Sequence, residues 1–214
     1  MFSPRNLSLA AGMAAAVALT AGALIASTAD ASPLVTPGEA VPGFTTTNSN
    51  GEPVSLSDFA GKTVVLEWTN DGCPFVQKHY ATPPANMQTL QSYAGADDVV
   101  WLSVISSASG KQGHVKGDEA NAITAVRDAM PTHVLLDEAG DVGRLYGAKT
   151  TPHMYVIRSD GTLAYEGAID SKPSARVEDI ADATNYVRAA LDSLAAGEAV
   201  AVPSSKPYGC SVKY

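Results

Sequence analysis

The sequence predicts an α/β fold, a central mixed β-sheet flanked by helices on both faces, with an N-terminal β-hairpin extension. Three observations predict it. Short β-branched and aromatic runs (TVVLEWT, DVVWLSVIS, HVLLD) alternate with longer stretches of helical character. That β-α-β-α-β order calls for parallel strands joined by helical crossovers. The later run HMYVIRSDGTLAYEG holds Asp160-Gly161 between two apolar segments, the mark of an antiparallel hairpin.

Taken in order, SPLVTPGEAVPG (32–43) carries three prolines and reads as an extended lead-in. FTTTNSNGEPVSL reads as a hairpin around Asn50-Gly51, and SLSDFAG as one helical turn closed by Gly61. TVVLEWT is a buried strand and Asn70-Asp71-Gly72 a loop. Pro74 suits the first turn of a helix that begins at Cys73. Pro83-Pro84 interrupts that helix, which resumes through NMQTLQSY. After DVVWLSVIS, the loop SASGKQGHVKG leads to a helix over DEANAITAVRDAM, stopped by Pro131. HVLLD is a third strand, and DVGRLYG a short helix with Gly147 past its end. Val177, Ile180, Ala183, Val187, Ala190 and Leu194 fall at helical spacing, which predicts one helix from Ser174 to Leu194. A tail with Pro203 and Pro207 then carries Cys210.

The chain has 214 residues, 45% of them apolar and 17% charged, enough apolar material for a full core. Its net charge of −8 argues against nucleic acid or an anionic membrane surface as a partner. At the N-terminus Arg5 precedes the apolar run LSLAAGMAAAVALTAGALIAS and then TADA, where Ala29 and Ala31 fit a small-x-small cleavage pattern. The expected organisation is a signal peptide over 1–31 cleaved after about Ala31, a domain over 32–196, and a C-terminal tail over 197–214. The mature protein is then periplasmic or extracellular, free of the membrane, where disulfides persist.

Chemistry concentrates at GCPFVQKHY. A cysteine at a helix start meets unpaired backbone N–H groups that favour its thiolate, the nucleophilic form. The competing reading is an inert buried cysteine. Position 76, where a CxxC site would hold its second thiol, is Val76. The other cysteine, Cys210 in PYGCSVKY, has three readings: a resolving thiol, the partner in a permanent bridge to Cys73, or an unpaired thiol. Glu67 is an unusual residue on an apolar strand. Buried below the site it would hold a proton and shuttle it; at a sheet edge it would reach solvent or a cation. Lys78, His79, His114 and His153 could supply positive charge or metal ligands, and read better as surface or hydrogen-bonded residues.

TVVLEWTNDGCPF together with YGAKTTPHMYVIRSDGTLAYEGAID resembles the thioredoxin-like fold in its AhpC/TSA (redoxin) branch, over about Gly38 to Leu194. GEAVPGFTTTNSNGEPVSLSDFAGK is similar to that branch's lead-in. The sequence also resembles exported redoxins with a single-cysteine CPFV-type site and a C-terminal GCSVKY cysteine. The resemblance implies that Cys73 is the nucleophile, Glu67 the buried acid and Trp68 the aromatic beside it. It places Thr151-Pro152 at a cis-proline loop facing the cysteine, where, with Pro74, it would contact a substrate's extended chain. The chain departs from the peroxiredoxin pattern, with Leu66 for a proline and Asn70 for a hydroxyl residue. Gln77 replaces the second thiolate of the CxxxC copper chaperones of this fold, so no metal and no cofactor is expected.

The function these readings imply is an exported thiol–disulfide oxidoreductase in cell redox homeostasis, acting on a protein or small-molecule thiol or disulfide. Cys73 is its nucleophile, Cys210 its resolving cysteine and Glu67 its proton carrier. One alternative is an antioxidant thiol peroxidase in which Cys73 becomes a sulfenic acid that Cys210 condenses with. Another is a binding or metal-handling module whose cysteine pair is structural.

Overall fold

The structure, a computed structural model, describes Met1 and residues 35–214; the expected leader over 1–31 and its cleavage site lie outside the described residues. The lead-in delivers the chain to a hairpin of β1 (Thr45–Asn48) and β2 (Pro53–Ser55), turning at Gly51 with a φ of 83°. A 3-10 turn over Leu56–Phe59 follows, with Asp58 accepting the Ser55 N–H at 2.8 Å. β3 (Val64–Trp68) is buried at every position. α1 (Pro74–Tyr80) and α2 (Asn86–Ala96) flank the Pro83-Pro84 interruption. β4 (Val100–Ile105), α3 (Gly117–Val126), β5 (His133–Leu136) and α4 (Asp141–Tyr146) complete the first half. The second half comprises β6 (Thr150–Thr151), β7 (His153–Ile157), β8 (Leu163–Gly167), a 3-10 turn (Val177–Ile180), α5 (Tyr186–Ala195) and β9 (Cys210–Ser211).

The main sheet runs β2-β1-β5-β4-β3-β7-β8. β3 pairs in parallel with β4, and β4 with β5, while β7 joins β3 antiparallel and continues into β8. The N-terminal hairpin extends this sheet, with β1 antiparallel to β5. A separate pair, β6 with β9, lies outside it.

Alternation along β3 divides the core. Val64, Leu66 and Trp68 face one side, with Leu102, Val104, Tyr146 and Tyr155. Val65 faces the other, with Val76, Tyr80, Met87, Leu90, Val187 and Leu191 of α1, α2 and α5. Each fully buried aliphatic side chain here contributes about 1.5–3 kcal/mol of transfer free energy.

Two helices differ from expectation. The segment 174–194 is not one helix. Backbone groups at 184–186 are diverted to residues 169–171: Ser171 N–H donates to Thr184 O at 3.0 Å and Tyr186 N–H to Ile169 O at 3.0 Å. Asn185 then caps a new start, accepting the Arg188 N–H at 2.9 Å, so only Tyr186–Ala195 is α-helical. α3 ends at Val126, short of Pro131. Asp128 takes a left-handed φ of 49°, and Ala129 N–H reaches back to Thr124 O at 3.0 Å. That is the glycine-type stop of a helix, made here by an aspartate.

Candidate active site

β3 ends in the middle of the sheet and delivers the loop 69–72 to the start of α1. Asn70 shapes that loop, its Oδ1 accepting the Gly72 N–H at 2.9 Å and its Nδ2 donating to Gln112 O at 3.1 Å. Cys73 is the N-cap residue of α1 and Pro74 its exposed first residue. The carbonyl of Cys73 accepts the N–H groups of Val76 at 3.0 Å and Gln77 at 2.9 Å. Val76, at the position a second local thiol would need, is fully buried in the core.

The second thiol arrives from the C-terminus. After α5 the chain returns along β8: Ser205 N–H donates to Glu166 O at 3.1 Å, and Ala168 N–H to Ser205 Oγ at 3.0 Å. At Gly209, with a φ of 137°, the backbone presses so closely on Thr151 that a Cβ would collide with the Thr151 carbonyl oxygen. β9 then pairs antiparallel with β6, setting Cys210 opposite Thr151. Beyond it Val212 N–H donates to Lys149 O at 3.1 Å, Ala108 N–H to Lys213 O at 2.8 Å, and Tyr214 Oη to Ala148 O at 2.8 Å. The last residues are therefore fastened to the body of the protein.

Thr151 stands between the cysteines. The bond Thr151-Pro152 is cis, and both residues are buried. The Cys73 thiol donates to the Thr151 carbonyl at 3.1 Å, and Cys210 lies within hydrogen-bonding reach of the Cys73 sulfur. The Thr151 hydroxyl is buried and otherwise unpartnered, which leaves it free to donate to Cys73 once that sulfur is ionised. Burial of Cys73 opposes its thiolate. The thiol of Cys210, the Thr151 side chain and the backbone N–H groups of Cys210 and Val76 outweigh it and hold Cys73 below the ordinary thiol range. Cys210 goes the other way. Burial, its hydrogen bond to Cys73 and the charge on that sulfur push it up to about 11, against a weaker pull from Lys213. Cys73 is 0% exposed and Cys210 partly exposed; both are free thiols.

Glu67 is fully buried on β3, between β4 and β7, not at a sheet edge. Its carboxylate accepts from Tyr80 Oη at 2.9 and 3.1 Å, Trp101 Nε1 at 2.8 Å and Ser103 Oγ at 3.1 Å. Burial raises its pKa in spite of those donors, Trp101 first among them. Neither sulfur is among its hydrogen-bond partners. Trp68 needs a correction: it is not at the site. It projects from the opposite face of β3, 0% exposed, with its Nε1 donating to Ser106 Oγ at 3.0 Å and its ring 5.1 Å from that of Tyr155. Adjacent residues of a strand face opposite ways, so Glu67 and Trp68 cannot both lie under Cys73.

The sequence reading missed the anchor of the C-terminal segment. Tyr208 Oη donates to Asp170 Oδ1 at 2.5 Å, and Lys78 Nζ donates to Asp170 Oδ2 at 3.3 Å and Lys172 O at 3.0 Å. His79 Nε2 lies 3.3 Å from Tyr208 Oη and its Nδ1 2.8 Å from Asn86 Nδ2. Burial drives the His79 pKa down to about 4, although Asp170 opposes it. No local pattern announces Asp170 or Tyr208; only the fold brings residues 78, 170 and 208 together. His153, lowered by burial, lies 3.3 Å from Glu166, and His114 lies 3.4 Å from Glu138. Among the described residues no three His, Cys, Asp or Glu side chains form a metal-ligand group.

A redoxin family model matches residues 36–185. Among solved structures, an uncharacterized conserved protein from Geobacillus kaustophilus is 26% identical with a TM-score of 0.69, covering 84% of this chain and 92% of that one. A hypothetical protein from Sinorhizobium meliloti 1021, 18% identical, shares the fold with a TM-score of 0.70, covering 84% of this chain and 95% of that one. No curated protein matches the sequence.

Proposed function

The chain belongs to the redoxin family and has its thioredoxin-like fold, and on that premise we propose that it is an exported thiol–disulfide oxidoreductase whose redox pair is Cys73 and Cys210. The observation that carries this reading is the apposition of the two thiols across Thr151, one pushed toward thiolate and the other away from it. A low-pKa thiol attacks and leaves readily, and a high-pKa one holds its proton until it is needed. Export rests on the leader pattern at Arg5 to Ala31.

In the reaction, the Cys73 thiolate attacks one sulfur of a partner disulfide. A Cys73–partner bond forms and the partner's other sulfur leaves as a thiolate. Cys210 then loses its proton and attacks the Cys73 sulfur; the Cys73–Cys210 bond forms and the partner leaves as its second thiolate. The proton from Cys210 is assigned to Glu67, the buried carboxyl on the strand that leads to Cys73, by way of an intervening water, since neither sulfur touches it directly. Thr151, Pro152 and Pro74 frame the position of the partner chain. Cys73 is fully covered, so on this reading a protein disulfide reaches it only when the Cys210 segment lifts.

The test is catalysed reduction of insulin by dithiothreitol. Wild type accelerates it and Cys73→Ser does not; equal rates for the two proteins would refute the reading. Full burial of Cys73 favours a second reading, because a small peroxide reaches a covered sulfur more readily than a protein does. The thiolate would take one peroxide oxygen, releasing hydroxide, which is protonated to water, and Cys210 would displace a second water from the sulfenic acid as the bridge forms. Rapid hydrogen peroxide consumption in a thiol-coupled assay, without insulin reduction, would establish it in place of the first.

A further inference from the structure

The segment that brings Cys210 to the site is held by an unusual device. Lys78 and Asp170 are 1% and 2% exposed, a buried ion pair. Removing two charges from water costs as much as their attraction returns, so such a pair is a poor way to gain stability. What it does here is geometric. Lys78 belongs to α1, the helix that Cys73 begins, and Asp170 follows β8. Together they present one carboxylate oxygen to the hydroxyl of Tyr208, two residues before Cys210. The ring of Tyr208 meets Phe75 of the same helix edge-on, at 5.9 Å. Between Tyr208 and Cys210 there is no slack, since Gly209 is pressed against the Thr151 carbonyl.

We propose that Tyr208 is a positioning residue: seated on Asp170 and Lys78, it holds the C-terminal strand against the helix that carries Cys73 and so fixes Cys210 beside the Cys73 sulfur. The network registers one cysteine to the other through α1, and it supplies the alignment that a local CxxC motif would provide within a single turn. This deepens the redox-pair reading and rests on it only for the closure of the bridge.

Tyr208→Phe in the full chain is the test, because it keeps the ring against Phe75 and deletes the hydroxyl that Asp170 accepts. Closure of the Cys73–Cys210 bridge by diamide, followed by mass spectrometry, should slow by about ten- to a hundredfold, the factor expected for losing a hydrogen bond to a charged group. Cys73 should at the same time react faster with iodoacetamide as its cover loosens. The Val212 amide, bonded to Lys149, should exchange its hydrogen faster, while amides of β4 stay protected. Unchanged closure, alkylation and exchange would overturn the proposal, and so would a uniform rise in exchange across β4, which marks general destabilisation. If wild type never closes the bridge, the redox-pair reading fails, while alkylation and exchange still decide the role of Tyr208.

Discussion

Oxidising the pair should stabilise the fold, and the gain can be worked from the structure. A bridge between Cys73 and Cys210 closes a loop of well over a hundred residues, and loss of chain entropy in the unfolded state is then worth about 5 kcal/mol. Native strain should take little of this, since β9 sets Cys210 opposite Thr151, the residue whose carbonyl the Cys73 thiol already meets. The hydrogen bond from the Cys73 thiol to the Thr151 carbonyl is given up, at a cost of about 1 kcal/mol. The net expectation is about 4 kcal/mol, or a rise of about 8–16 °C in Tm for a chain of this size. The assay is guanidinium unfolding of the oxidised protein and of the same protein in dithiothreitol, with Cys73→Ser and Cys210→Ser as controls. The controls should be indifferent to the reductant. If the two wild-type forms unfold within about 1 kcal/mol of each other, the geometry inferred for the pair is wrong.

Three further outcomes follow from the buried titrating groups. His79, held down to about 4 from 6.5, stays neutral in the fold, so its contribution is complete above pH 6.5 and is lost as the pH falls toward 4. That loss amounts to about 3 kcal/mol, and His79→Gln should remove most of it when urea unfolding at pH 7 and pH 4.5 is compared; an equally steep loss in the variant would contradict it. Cys210, pushed up to about 11, should titrate lower in Cys73→Ser, where the neighbouring thiolate is gone, as read from the pH dependence of its alkylation by iodoacetamide; burial keeps part of the elevation. Glu67, raised by burial, holds its proton beyond the ordinary carboxylate range, and Glu67→Gln should flatten the corresponding limb of the rate–pH profile of insulin reduction. A profile of unchanged shape would remove Glu67 from the mechanism.

Much of the fold was legible because each signal was local. The β-branched runs, Asn50-Gly51, Asp160-Gly161 and Gly147 each act within a few residues, and the elements lie where they point. Cys73 at a helix start was legible for the same reason, with Pro74 behind it. The errors have physical causes. The helical spacing of Val177 to Leu194 is real, but Asn185 and the backbone pairing with residues 169–171 overrule it at the near end. Asp128 ends α3 in a conformation usually left to glycine. Position in a family pattern points Trp68 to the site, although strand alternation sends it to the far side of the sheet. The anchor at Lys78, Asp170 and Tyr208 had no local signal, since each residue acquires its partner only when the chain closes on itself.

The central claim is that Cys73 and Cys210 act as one redox pair. It is tested most directly by equilibrating the protein in glutathione buffers of graded potential, quenching exchange with acid, alkylating free thiols in denaturant at neutral pH, and weighing the products. The account predicts a single reversible transition between a doubly alkylated form and an unalkylated form lighter by both alkyl groups, with the Cys73 and Cys210 peptides cross-linked in the latter. Separate glutathione adducts on the two cysteines, with no cross-linked peptide at any potential, would contradict it.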